Sequence, residues 1–512
     1  ATSPPTSPER KRKQQTQGHQ DKGREKMRQV ISLGLKYVDL LQENLEQVHW
    51  VVEILLLLFI IYLLTHKKSK REKARKLTEK EKQMMIDEFY CEPLVPKLTD
   101  RHVMDLESQI NFDHGSIFPI AKIGGKEVYN MTSSSYLGYV NHPRFMEESV
   151  ATLKKFGTGS CGPRGFLGTV DVHLELEKHI QEFMKVGDAI IYSSQYSTVV
   201  SFVMALAARH DIIVVDKGVK HAIKMGVDLS RAKTFWFEHN NVQDLTRIWE
   251  SFEKDRKTGK IPPNTRFWLL VEGLYENHGD ICPLPEILKL KERHKFRMMI
   301  EESHSIGVLG KTGRGVTEHF GVPVTSVECI CGSMNTVLSA DGGFCAGEKE
   351  LVDFQRLNGS GYVFSASLPP CLTVGADASL SILETEEGVR DLERLRCVVG
   401  KVRERLDKGV SPKMWVEGDG LSPIFHLRLE RNREEGDKEK KEAEDLEDDR
   451  VLQAVCNAAM EKGTLISRAK YINEWQGRPS PSIRICVNAT MTDDQIEKAT
   501  NDIIQAVHET VS

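Results

Sequence analysis

Between Cys331 and Gly347 the chain reads CGSMNTVLSADGGFCAG. A Gly-Ser opening, a short polar and apolar middle and a Gly-Gly-Phe close have the frame of an active-site lysine loop, built to present one side chain to a bound group. No lysine stands in it, and the presented side chain is Thr336. A second stretch, Gly157 to Gly168, is dense in glycine and runs into a helix carrying His173 and Glu177. Glycines let backbone come close to a ligand or a neighbouring subunit, and Arg164 among them has the fork that meets a carboxylate or phosphate. The same glycines equally suit a tight structural turn.

The ten cysteines are scattered, with only Cys329 and Cys331 close together. No CxxC pair and no histidine pair at zinc spacing occurs, so neither a disulfide framework nor a metal site is supported.

Elements that would position these loops alternate from Ala121 onward. The short apolar runs Ala189 to Ser194, Asp211 to Asp216, Arg266 to Gly273 and Met298 to Ser303 are separated by helical pattern. They predict buried strands of a mostly parallel sheet in an α/β architecture, a large domain over 114–370. Past Pro370, helical segments, strands at Ile424 to Leu429 and Ser482 to Val487, and a helix from Asp493 predict a smaller C-terminal α+β domain over 371–512. The charged run 430–450 within it is expected to be a solvated surface insertion. No internal repeat is visible.

The amino-terminal quarter is different in kind. Residues 1–28 are rich in Pro, Ser, Gln, Lys and Arg and are expected to be a disordered tail. Over 29–47 the residues Val30, Ile31, Leu35, Val38, Leu41 and Leu45 recur at three and four, one face of an amphipathic helix lying either on a membrane surface or on protein. In the segment 48–66, Val48 to Thr65 reads VHWVVEILLLLFIIYLLT, with an uninterrupted apolar core from Ile54 to Leu64. As a helix, Val48 to Thr65 reaches roughly 27 Å, just short of a hydrocarbon core of about 30 Å. Length leaves a buried core helix open. The flanks favour a single transmembrane span, with Trp50 and Tyr62 near its ends and Lys67, Lys68, Lys70, Arg71, Lys73, Arg75 and Lys76 following. The basic side predicts the amino terminus outside the cytosol and the body inside it. Residues 67–113 then read as a basic juxtamembrane segment and linker, with the globular body beginning near His114.

The whole chain is 512 residues, 40% hydrophobic and 28% charged, enough to bury a full enzyme-sized core. Its formal charge of −4 is too near neutral to argue for nucleic acid.

The order of motifs resembles the α-oxoamine synthases, fold-type I pyridoxal phosphate (PLP) transferases that join an amino acid to an acyl-CoA with loss of carbon dioxide. Within them it is similar to the family of non-lysine subunits of serine palmitoyltransferase. The stretches that carry this are EPLVP (Glu92 to Pro96), CGPRGF (Cys161 to Phe166), VDVHLELE (Val170 to Glu177), VEGLYENHGDICPLPE (Val271 to Glu286), GVLGKTGRGVTEH (Gly307 to His319), GGFCAG (Gly342 to Gly347) and FSASLPP (Phe364 to Pro370).

The resemblance implies roles residue by residue. Thr336 stands where catalytic members carry the Schiff-base lysine, and a hydroxyl cannot form an imine. Glu301 stands for the aspartate that pairs with the pyridinium nitrogen, and His304 for a histidine facing the cofactor. Lys220, with His221 next door, takes the place of the histidine that stacks on the ring. Arg484 matches an arginine that can engage the substrate carboxylate. Ser365 matches a hydroxyl that bonds the PLP phosphate across the dimer, although its neighbour Ala366 has lost a second hydroxyl.

The expectation is therefore a chain without catalytic residues of its own, whose Cys161, Arg164 and Ser365 reach the site of a lysine-bearing catalytic partner. That partner would hold PLP and condense L-serine with palmitoyl-CoA to 3-ketosphinganine, CoA and carbon dioxide, the first step of sphingolipid biosynthesis. An endoplasmic reticulum membrane, small activating membrane subunits and membrane regulators are implied by the same resemblance. Two rivals stand beside it: a self-sufficient PLP acyltransferase using Lys220 or Lys311, and a membrane scaffold or regulator that contributes nothing to any active site.

Overall fold

A computed structural model describes residues 32, 45–65, 77–89, 93–95, 97–115, 117–431, 438–471 and 478–511. The expected tail over 1–28, most of the helix over 29–47 and the basic run 67–76 lie outside the described residues. Ala1–Lys97 and Leu98–Ser512 are two compact units.

In the first unit a helix runs over Leu45–Thr65. Its described side chains extend from Trp50 to Leu63, and all are exposed. Among the described residues no helix is long and apolar enough to cross a membrane. The segment expected to be linker contains a second helix, Glu79–Glu88. Its first turn is closed by a capping box in which Thr78 Oγ1 accepts from the Glu81 amide while Glu81 accepts from the Thr78 amide.

The second unit begins at Leu98, earlier than the expected start near His114, because the helix Asp100–Glu107 is tied into it. A hairpin of β1 (Ile120–Ile123) and β2 (Lys126–Asn130) follows. The main sheet is built from β3 (Asp188–Tyr192), β4 (Ile212–Asp216), β5 (Lys233–Phe237), β6 (Phe267–Glu272), β7 (Arg297–Glu301), β8 (Cys329–Ser333) and β9 (Gly343–Gly347). Its order is β3-β9-β8-β7-β6-β4-β5, and only β9 runs against its neighbours. Residues of β4 and β6, such as Val214 and Leu269, are fully buried, which is why their sequences are continuous apolar runs rather than alternating ones.

The apolar runs end in acids. Asp216, Glu272 and Glu301 close β4, β6 and β7, so the sheet delivers three carboxylates to one edge.

Beyond the helices Pro370–Leu383 and Glu386–Val410, a second sheet joins β10 (Met414–Glu417), β11 (Ile424–Leu429), β13 (Ser467–Arg468) and β14 (Ile483–Cys486) in the order β10-β11-β14-β13, while β12 (Thr464–Leu465) pairs with β2. The charged run 430–450 departs from expectation. From Lys438 it is the first half of a helix, Lys438–Lys462, and its aspartates turn inward. Asp449 is 1% exposed and draws Arg101, Arg468 and Arg478 to 2.8, 2.8 and 3.5 Å. Asp448 meets Arg431 at 2.8 Å. Within a run whose Lys440 to Ala443, Glu447 and Arg450 stay exposed, the buried Asp449 thus forms an ionic joint with arginines from distant segments.

Candidate active site

The carboxyl edge of the main sheet is where α/β folds of this kind bind ligands. There the register of the parallel pair β6 and β7 sets Glu272 directly beside Glu301. Two carboxylates on adjacent strands, about 4.8 Å apart, repel each other unless a cation or a proton intervenes. The cation is Lys220, at the start of the helix His221–Ser230. Its Nζ lies 2.7 Å from Glu301 Oε1 and donates to Ser303 Oγ at 3.2 Å, while its backbone amide donates to Glu272. Burial alone would lower the Lys220 pKa, but Glu301, Glu272 and Glu276 overcome it and hold the ammonium protonated. Glu272 is pushed up to about 8, chiefly by burial and further by Glu301, against the pull of Lys220.

Thr336 lies in the turn after β8, 2% exposed. Its Oγ1 donates to the Ser303 carbonyl at 2.7 Å, and its own carbonyl accepts from the Tyr136 amide at 3.2 Å. The hydroxyl is therefore committed to backbone. Ser303 is the hub, since its Oγ donates to Glu301 and accepts from the Ser333 amide at 2.9 Å.

His304 extends the cluster to the other side. Its Nδ1 meets Tyr136 Oη at 2.7 Å, and its Nε2 lies 3.5 Å from Glu276 Oε2, the outer limit of a hydrogen bond. Glu276 accepts from Arg484 Nη1 at 2.8 Å. Burial would raise the Glu276 carboxyl, but His304, Arg484 and Lys220 hold it well below the usual carboxylate range. The edge opens into a cavity of about 310 Å³ lined by Tyr196, Lys220, His221 and Glu276, next to one of about 710 Å³ that shares Glu276 and reaches Arg484.

The structure thus brings Lys220, Glu301, His304, Thr336 and Arg484 into one cluster. Tyr136, Glu272, Glu276 and Ser303 were missed. Glu272 and Glu276 lie inside the quoted motif VEGLYENHGDICPLPE and Ser303 ends the run Met298 to Ser303, so the signal for these three was in the sequence.

Do these residues fit PLP? No amine stands at Thr336, and one oxygen of Glu301 is already bound by an ammonium. The other, Glu301 Oε2, is buried without a hydrogen-bond partner, yet a pyridinium there would share its carboxylate with Lys220. The residues do not fit the cofactor. Lys220 is no substitute anchor either, because a protonated, ion-paired ammonium is not a nucleophile. The other rival lysine, Lys311, is exposed on a loop.

The three residues expected to serve a partner's site separate. Cys161 is exposed and free, with φ of 55°. Ser365 is half-buried on a segment laid against the glycine loop, where Ala366 bridges Pro163 and the Ser367 amide donates to Gly162 O at 2.9 Å. Arg164 points the other way, correcting the expectation that it reaches outward. Its Nη1 donates to Glu177 Oε1 at 2.9 Å and its Nε to Thr169 Oγ1 at 3.0 Å, with both members of the ion pair buried. Glu177 also accepts from the Ile191 amide at 3.0 Å, so this arginine locks the loop to β3.

Comparison with known proteins agrees with this geometry. Residues 126–503 match the aminotransferase class I and II family. The chain is 40% identical over 448 residues to serine palmitoyltransferase 1 of Dictyostelium discoideum, covering 87% of this chain and 91% of that one. It is 39% identical over 386 residues to long chain base biosynthesis protein 1 of Arabidopsis thaliana, covering 75% and 77%. Among solved structures, Sphingomonas wittichii serine palmitoyltransferase superposes with a TM-score of 0.67 at 25% identity, covering 80% of this chain and 97% of that one. A structure of SPT with a PLP internal aldimine reaches 0.68 at 24% identity over 80% and 96%, a likeness of fold alone. The chain belongs to the aminotransferase class I and II family of PLP-dependent transferases, in its serine palmitoyltransferase 1, or long-chain-base subunit 1, branch.

Proposed function

We propose that this chain is the non-PLP-anchoring subunit of a heteromeric serine palmitoyltransferase. The complex condenses L-serine with palmitoyl-CoA to 3-ketosphinganine, releasing CoA and carbon dioxide. The observation that carries this is Thr336, which the resemblance sets at the anchoring position and which is buried with its hydroxyl given to the Ser303 carbonyl. A lysine-bearing partner then supplies the cofactor, whose ring acts as the electron sink of the condensation. This chain stabilises that partner and completes its site with Cys161 and Ser365, which lie on two paired segments. Residues 48–66 anchor the complex in the endoplasmic reticulum membrane as a single pass, amino terminus lumenal and body cytosolic. The exposed apolar helix at Trp50 to Leu63 supports that anchor. Small activating membrane subunits and regulators would bind alongside it.

The test is co-expression with and without a lysine-bearing partner, reading serine-plus-palmitoyl-CoA condensation in membranes. Activity only in the co-expressed sample is expected, and turnover by this chain alone would overturn the proposal. The inward Arg164 favours one second reading, a scaffold without contribution to the partner's site. Ser365→Ala distinguishes the two, because an unchanged turnover number in an intact complex supports scaffolding.

A further inference from the structure

At the carboxyl edge, the cations nearest the strand ends are paired within the chain. Lys220 sits 2.7 Å from Glu301, and Arg484 sits 2.8 Å from Glu276. Glu272, the carboxylate set beside Glu301 by the register, favours its protonated form at neutral pH. In a site awaiting an anionic cofactor and a substrate carboxylate, positive groups would be left for them. Here each is already answered from within the chain.

The positions matter as much as the balance. Lys220 reaches from the helix terminus beyond β4 across the end of β6 to the end of β7, over the carboxyl edge of the sheet. Ser303, on the turn after β7, receives Lys220 Nζ at 3.2 Å while its carbonyl receives Thr336. A flat ring lying against Glu301 would have to displace the lysine and leave the buried Glu301 and Glu272 facing each other.

We infer that Lys220, Glu301 and Ser303 form an ionic plug that closes this chain's own cofactor site, so that exclusion of PLP rests on the plug as well as on the absent lysine. The plug makes the fold independent of cofactor. This concerns the chain's own interior and stands whether or not the proposed partnership does. Restoring an amine at position 336 alone will not restore binding.

The experiment uses the full chain, in its complex where one is obtained, and PLP as the probe. Thr336→Lys is compared with Thr336→Lys combined with Lys220→His and Glu301→Asp. After incubation with PLP, the introduced amine condenses with the PLP aldehyde, releasing one water. Borohydride then adds hydride to the C=N carbon, and a proton completes a stable secondary amine. Mass spectrometry of the peptide spanning position 336 reads the adduct without regard to activity or to cofactor on any partner. An adduct in the triple variant and none in the single is expected. Equal labelling of both, or no labelling of a folded triple variant, would overturn the inference.

Folding is covered by a separate cycle in the otherwise unchanged chain. Lys220→Met, Glu301→Met and the two together are compared by their unfolding midpoints. The plug requires the double variant to lose less than the sum of the singles, and additive losses would refute it.

Discussion

At the carboxyl edge of the main sheet, Lys220 and Glu301 are 6% and 2% exposed and bind each other, whereas on the loop pair Phe166, Leu167 and Phe364 stand 67%, 94% and 82% exposed. The first region has charge, and its lysine and arginine are paired with carboxylates of the same chain. The second has apolar surface that no described residue covers. Even the backbone differs, for Cys161 and Leu167 hold φ of 55° and 65°, a region that side-chain-bearing residues rarely adopt without a reason outside local packing. The contrast teaches that buried charge and outward apolar surface are settled by different means. Interior charges can be re-paired by substituting neighbours, but a face shaped for another surface is kept only if something covers it.

Arg164 ties the loop pair to the interior through Glu177, and removing it should have the largest effect. Its guanidinium is buried against Glu177, so Arg164→Ala leaves a buried carboxylate whose next cation, Arg356, is 3.8 Å away. A loss of about 3 kcal/mol is expected, the low end for breaking a buried pair because Arg356 remains. Chemical denaturation measures it. A loss below about 1 kcal/mol would mean that the loop is not held from inside.

The next effect sharpens the interior half through pH. Glu302, behind the plug, is pushed up to about 7 by burial, although Ser305 and the Val316 amide bond it. The unfolded chain loses this proton near 4.5 and the folded chain near 7, so stability contributed by the protonated carboxyl is full below the first value and lost as pH rises through the second. The shift corresponds to roughly 3 kcal/mol. Glu302→Gln should flatten the fall in unfolding free energy between those two pH values, and an unchanged slope would assign it to another group.

A smaller effect belongs to Thr336. Thr336→Val keeps the shape and removes the donor to the Ser303 carbonyl, at a cost of about 1–2 kcal/mol for the unsatisfied acceptor. If thermal unfolding shows no loss, the hydroxyl is not part of the network around Ser303.

Much of this was legible along the chain, and the misses have physical causes. Buried strands such as Ile212–Asp216 and Phe267–Glu272 announce themselves because both faces need apolar side chains. Cys329–Ser333 and Gly343–Gly347 did not, because their cysteines and glycines carry no strand pattern and their identity comes from pairing with each other. The site residues could be placed by position, yet Lys220 and Glu301 read as two separate losses. That they compensate each other is a fact of register and of a helix start 81 residues away in sequence, by subtraction of the two residue numbers. The aspartates of 438–450 misled for the same reason, since Asp449 finds Arg101 only in the fold.

The smallest expected effect on stability tests the outer half of the comparison most directly. Leu167 is almost fully exposed, so Leu167→Asp removes little buried apolar surface, and aspartate tolerates a positive φ better than leucine does. Unfolding free energy should move by no more than about 0.5 kcal/mol. Association with the proposed lysine-bearing subunit should weaken by about tenfold or more, because a carboxylate would be carried into an apolar contact. Titrating the purified partner against wild type and variant separates the two quantities. Unchanged affinity with unchanged stability would show that this apolar face is simply bare, and the reason for keeping the glycine loop would have to be sought in its inward lock on Glu177.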